Sequence, residues 1–306
     1  MYTGVLTNIL GRPEFRPTVP PPGRLVRLGV VLDTRNDPKR LAQIASMCDR
    51  AGIDILWVRE AWESLLVAAA ECRRARLGAV LLTSERTPNA VADMARTLNE
   101  TIEGRLELGI SSRAESLEGY VRELRDLLRA SDPDQAPTVS VEAATPREAR
   151  VAAELADNVL IPAGAMTDAA LAVAEVRKAC AAVGRDPDSL GVAVELPVSI
   201  GRTSAEALAR AEAEPSFRQL GQRVPASIIG RLEECQERVI ELAHAGVTDL
   251  LCILPNVPDI HDVIAQITSM VVGNPQALTP GSPRSKSPDP PESWGGRYDK
   301  QRRDPI

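Results

Sequence analysis

The stretch from Leu25 to Trp62, LVRLGVVLDTRNDPKRLAQIASMCDRAGIDILWVREAW, constrains the fold of this chain more than any other. It reads as a complete strand–helix–strand unit. Leu25 to Leu32 is an apolar run of buried-strand length, rich enough in valine to favour extended backbone. Asp37 then offers a helix N-cap, and Pro38 suits the first helical position, where its missing N–H costs nothing. Leu41, Ile44, Ala45 and Cys48 recur at helical spacing, and Gly52 stands where a left-handed C-terminal cap is expected. Ile53 to Val58 supplies a second buried strand, which ends in Arg59, Glu60 and Trp62. Parallel strands joined through a right-handed helical crossover carry such strand ends to the face where α/β proteins bind ligands.

The rest of the chain repeats this unit. Further strands are expected at Ala75–Leu82, Arg105–Ser111, Thr138–Ala143, Asn158–Ile161, Leu190–Ile200 and Asp249–Leu254. Helices fall between them, opened by Thr87-Pro88, by the capping box Thr145-Pro146-Arg147-Glu148, by Asp168 and by Thr203 with Glu206. Pro197 implies a bulge or an edge-like irregularity in the seventh strand. Eight strands alternating with helices favour one closed (β/α)8 TIM barrel over an open sheet. Its expected span is 25–273. Residues 1–24 form a Pro-rich N-terminal arm, an extended or mobile lead-in, and residues 274–306 a Pro-, Ser- and charge-rich tail expected to be disordered.

Composition removes several function classes. Hydrophobic residues make up 44% of the chain but aromatics only 3%, so the core is mostly Ala, Leu, Val and Ile. A net charge of −6 argues against a nucleic-acid or anionic-membrane surface, and no apolar run approaches the ~18 residues of a membrane span. The N-terminus lacks the basic start and apolar run of a signal peptide. The 5 cysteines are odd in number and widely spaced, which reads as reduced core thiols in a cytoplasmic protein. With only His244 and His261 there is no histidine-rich metal site. No zinc spacing, Walker loop or GxGxxG fingerprint occurs.

Several segments, in order, resemble the luciferase-like monooxygenases. Leu28-Gly29-Val30-Val31 opens the series. Ala51-Gly52-Ile53-Asp54-Ile55-Leu56-Trp57-Val58 follows the pattern "aGfD.lwv", and Arg76-Leu77-Gly78 resembles the start of the third strand. Arg86-Thr87-Pro88 through Leu98, with Gly104-Arg105-Leu106-Glu107-Leu108-Gly109, resembles "hP...A....tLd..s.GR..lGvG", the most specific of the set. Ala153-Glu154-Leu155-Ala156-Asp157, Ala182-Val183-Gly184-Arg185-Asp186-Pro187 and Ala243-His244-Ala245-Gly246-Val247-Thr248 complete it. The resemblance implies a barrel that uses flavin mononucleotide (FMN) or a deazaflavin of the F-420 type for hydride transfer or monooxygenation of a small organic substrate. It also implies a homodimer, with a flavin reductase or a family-related subunit as a candidate partner.

The departures are concentrated at the site. Members commonly carry an acidic residue followed by His after the second strand, whereas Glu60 is followed by Ala61. This fits an alcohol-oxidising deazaflavin enzyme less well. The Gly-rich turn after the fourth strand reads Gly109-Ile110-Ser111-Ser112-Arg113-Ala114, and the insertions that cover the site look reduced. Glu60 is the candidate acid or base, against the reading that it simply pairs with Arg59. Thr83, Ser111 and Ser112 close strands three and four and are candidates for the ring edge, or else satisfy turn backbone. Trp62 is a candidate ring-stacking or pocket wall, or packs beneath its helix. Ala144 and Thr145 open a helix that offers a phosphate seat, unless Glu142 points inward and repels an anion. Gly164 permits close backbone approach, or serves an ordinary turn. Arg113 is a candidate for a substrate carboxylate or the cofactor phosphate, or a solvated loop arginine. A competing reading is a non-catalytic luciferase-like barrel that serves as a subunit, scaffold or binding partner.

Overall fold

The computed structural model describes residues 16, 18–111, 116–131, 133–165, 168–219 and 227–271. Its strands, in chain order, are β1 (Arg27–Val31), β2 (Ile55–Arg59), β3 (Arg76–Leu82), β4 (Leu106–Ser111), β5 (Thr138–Glu142), β6 (Asn158–Ile161), β7 (Gly191–Ile200), β8 (Ile228–Gly230) and β9 (Asp249–Ile253). The helices are α1 (Pro38–Ala51), α2 (Trp62–Glu71), α3 (Pro88–Thr101), α4 (Leu117–Ser131), α5 (Pro146–Leu155), α6 (Ala169–Ala182), α7 (Ser204–Ala213), α8 (Pro215–Gln219), α9 (Leu232–Ala245) and α10 (Ile260–Val271).

Every strand pairing is parallel. β1 to β7 pair in sequence, β7 pairs β9, and β9 returns to β1, so eight strands close a barrel. The expected TIM barrel is therefore observed, with strand positions within a few residues of those read from the sequence. The short β8 and α8 were not anticipated. β8 pairs Val198–Ile200, the upper end of β7, and lies outside the ring. Pro197 sits in the gap it leaves: β6 pairing ends at Val194 and β8 pairing begins at Val198. The missing N–H thus breaks no ladder on that side.

Helix ends follow local chemistry. The Asp37 carboxylate accepts from Arg40 N, Thr87 Oγ1 accepts from Ala90 N, and the Asp168 carboxylate accepts from Ala170 N and Leu171 N. Gly52, with φ 78°, ends α1 in the left-handed conformation. All five cysteines are free and buried, as expected. No helix among the described residues is long and apolar enough to cross a membrane.

Alternate strand residues face the barrel axis and build three layers. The middle layer is apolar, with Ile55, Trp57, Val80, Leu160, Ala193 and Leu251 packed together. Trp57 fits only because its neighbours are glycines. A Cβ on Gly78 would lie 2.5 Å from the indole, and one on Gly109 would lie 2.9 Å from it. The lower layer, at the N-terminal strand ends, is a buried ionic plug. Arg27 grips Glu107 with two N–H groups at 2.8 and 3.1 Å and bonds Asp249 through Nε. Arg76 adds a contact to Glu107 at 2.5 Å. Thr18, on the incoming arm, places its hydroxyl 2.6 Å from Asp249, while its N–H donates to Asn158 at 2.9 Å. The last residues of the arm are thus tied to the barrel floor. Charges here balance, two arginines against two carboxylates.

Candidate active site

The C-terminal strand ends carry the third layer. Arg59 closes β2 and points inward, because Ile55, Trp57 and Arg59 share one face of the strand. Glu142 closes β5, and Glu195 lies in the middle of β7. The Arg59 guanidinium spans the two carboxylates, with Nη2 2.5 Å from Glu142 Oε2 and Nη1 2.7 Å from Glu195 Oε1. Ser111, at the end of β4, donates its hydroxyl to the free Glu142 oxygen at 3.1 Å. Among the described residues, the second oxygen of Glu195 receives only the Ala163 N–H, at a long 3.4 Å.

Burial grades the three side chains. Arg59 is 32% exposed, Glu142 14% and Glu195 3%. Burial pushes the Glu195 carboxyl above its ordinary value, and neighbouring Glu142 adds to this, while Arg59 acts in the opposite direction without winning. Burial alone would make Arg59 easier to deprotonate, but Glu195 and Glu142 outweigh it, so the guanidinium is held charged more firmly than usual. At the floor the two carboxylates are split. Burial would raise Glu107, yet Arg27 and Arg76 hold that carboxyl below the usual range, whereas burial pushes Asp249 above its ordinary value against Arg27, with neighbouring Glu107 adding to the rise.

The other expected site residues are distributed around this cluster. Glu60 is exposed at the rim after β2, in the left-handed region with φ 54°. Such a conformation costs a non-glycine residue roughly 1–3 kcal/mol. Arg59, expected as its alternative partner, is instead committed to Glu142 and Glu195. Thr83 follows β3, where its N–H donates to Ser111 O at 3.0 Å, so the two candidates from adjacent strands are joined through backbone. Trp62 opens α2 and is half-buried. Gly164, with φ 83°, forms the Pro162–Ala165 turn, closed by the Ala165 N–H to Pro162 O at 3.2 Å. A left-handed residue at that place is what such a turn demands.

Ala144 and Thr145 do precede a helix, but their amides are already engaged. Glu148 Oε2 accepts from Ala144 N at 2.8 Å and from Thr145 N at 3.0 Å, and Thr145 Oγ1 accepts from Glu148 N. The chain's own carboxylate occupies the place of an incoming anion. Glu142 points inward, as the repelling alternative required. Ser112 and Arg113 lie outside the described residues.

Sequence reasoning missed Glu195, Trp57 and the role of Arg59. One signal was available for Glu195. It is a lone charge in GVAVELPVSI, a strand whose ten residues are all buried, and a charge there needs a partner.

The family model for luciferase-like monooxygenases matches residues 24–118 and 111–224, more than half of the chain. The chain belongs to the luciferase-like monooxygenase family. Among solved structures of the same fold, a coenzyme F420-dependent tetrahydromethanopterin reductase from Methanopyrus kandleri superposes with a TM-score of 0.65 at 17% identity, over 81% of this chain and 98% of that one. An F420-dependent secondary alcohol dehydrogenase gives 0.67 at 14% identity, over 83% and 99%. The oxygenating component of 3,6-diketocamphane monooxygenase from Pseudomonas putida, in complex with FMN, gives 0.63 at 15% identity, over 81% and 98%.

Proposed function

We propose that this luciferase-like chain is an oxidoreductase that works with FMN or a deazaflavin of the F420 type on a small organic substrate at the C-terminal mouth. The observation that carries the reading is the Arg59–Glu142–Glu195–Ser111 cluster: the upper layer of the barrel concentrates buried charge above an apolar middle layer. A bound cofactor of this class supplies hydride or oxygen chemistry, and the protein supplies orientation and electrostatics.

The described mouth fits the ring end of such a group. Arg59 retains N–H groups beyond the two already used and offers them as donors for ring carbonyl oxygens, with Ser111 and Thr83 closing the neighbouring strands beside it. Trp57 in the layer below gives the mouth an apolar floor, and Glu60 at the rim is our candidate acid or base. The phosphate end does not fit at Ala144 and Thr145, because Glu148 fills those amides.

That filled seat favours a second reading, a barrel that has kept the fold as a subunit or scaffold. Titration of the full chain with FMN and, separately, with the deazaflavin, followed by fluorescence, decides between them. The oxidoreductase reading expects saturation by one cofactor in the micromolar range, weakened by Ser111→Trp. No binding of either, in protein folded by circular dichroism, contradicts it. We further propose that two copies pair, on the strength of an apolar α2 whose Leu66 is 48% exposed. Light scattering that returns only the monomer mass counts against pairing.

A further inference from the structure

The two polar ends of the barrel differ in charge balance. At the floor, Arg27 and Arg76 meet Glu107 and Asp249. Both oxygens of Asp249 are served, one by Arg27 Nε and the other by the Thr18 and Thr248 hydroxyls, the latter at 2.7 Å. At the mouth, among the described residues, a single guanidinium faces two carboxylates. Glu142 has the shorter Arg59 contact, the Ser111 hydroxyl and the greater access to water. Glu195 is nearly sealed, and among the described residues its Oε2 has only the long Ala163 contact. Its partner in the register with β9 is Leu251, and along its own strand face it is flanked by Ala193 and Pro197. Among the described residues, Arg59 from β2, Glu142 from β5 and the Ala163 N–H from the β6 turn are the charged and polar groups that face it. An uncompensated charge in such a place is expelled most cheaply by taking up a proton.

We propose that the Glu142–Glu195 pair holds one proton at neutral pH, seated on Glu195 Oε2, and that this carboxylic acid is a second proton-exchanging group of the site, set below the rim residue Glu60. In use, the Oε2–H bond breaks as an O–H or N–H bond forms on the bound small molecule, leaving the Glu195 carboxylate paired with Arg59. The reverse transfer restores the acid. Service as donor rests on the oxidoreductase reading; the resident proton does not.

The test is a carbon-13 NMR titration of glutamate side-chain carboxyls in the full, cofactor-free chain. The expected result is one glutamate that stays protonated at pH 7, lost in Glu195→Gln and kept in Glu60→Gln. In Glu142→Gln, where Arg59 serves one carboxylate alone, the same signal should ionise at lower pH. Thermal stability gives a second readout. A carboxyl raised in the folded state binds more protons there than in the unfolded chain, so its contribution is full below the ordinary value of 4.5 and lost as pH rises through the folded value. Glu195→Gln should flatten that decline. Full ionisation of every glutamate at pH 7, or a retained protonated signal in Glu195→Gln, overturns the proposal. Absence of flavin binding overturns only the oxidoreductase reading, since the titration needs no cofactor.

Discussion

Trp57 shows how single residues set the shape of the site. An indole on the barrel axis requires that two neighbouring strands present no side chain, and β3 and β4 meet that requirement with Gly78 and Gly109. The close approach that Gly78 and Gly109 permit is made by Trp57 itself. Gly78→Ala should therefore destabilise the fold by about 1–3 kcal/mol through overpacking. Trp57→Leu in the same chain should return part of that loss, a coupling measurable by a denaturation cycle across the four proteins. Additive effects would mean that the indole does not press on Gly78. Glu60 and Arg59 illustrate the opposite difficulty. Adjacent in sequence, they turn away from each other, and no periodicity reveals that Arg59 has two carboxylate partners from strands far along the chain.

At the scale of elements, the sequence was most legible where local chemistry acts alone. Caps at Asp37, Thr87, Thr145, Asp168 and Thr203 sit where they were expected, and each strand long enough to show an apolar run was found. β8 has three residues and α8 five, too few for any period to register, so both escaped. The Gly184-Arg185-Asp186-Pro187 motif proves to be scaffold rather than site. Arg185 donates to Ala153 O at 3.1 Å and Ala156 O at 2.7 Å, capping the carbonyl end of α5 from the next βα unit. Burial lowers its guanidinium to about 10, a cost carried for that cap. Arg185→Met should cost about 1–3 kcal/mol by leaving buried carbonyls without donors. It should leave cofactor affinity unchanged. A fall in affinity with stability intact would place Arg185 in the site instead.

The whole molecule divides its labour between the two ends of one barrel. The floor is an ionic plug of two arginines and two carboxylates, closed by Thr18 of the arm, and the C-terminal mouth sets, among the described residues, one arginine against two carboxylates. The closed eight-strand barrel was legible because the βα repeat is written locally. The mouth was less so, because its members come from β2, β4, β5 and β7 and only the closed ring brings them together. The central claim is that binding belongs to the mouth and stability to the floor. Its most direct test is the same substitution at each end, Arg59→Met and Arg76→Met, with FMN and deazaflavin titrations and thermal melts on both. The account predicts that Arg59→Met weakens cofactor saturation at least tenfold, roughly 1.4 kcal/mol. Arg76→Met should lower the melting temperature and leave affinity within twofold of the parent chain. Equal loss of affinity from both, or loss from Arg76→Met alone, would contradict it.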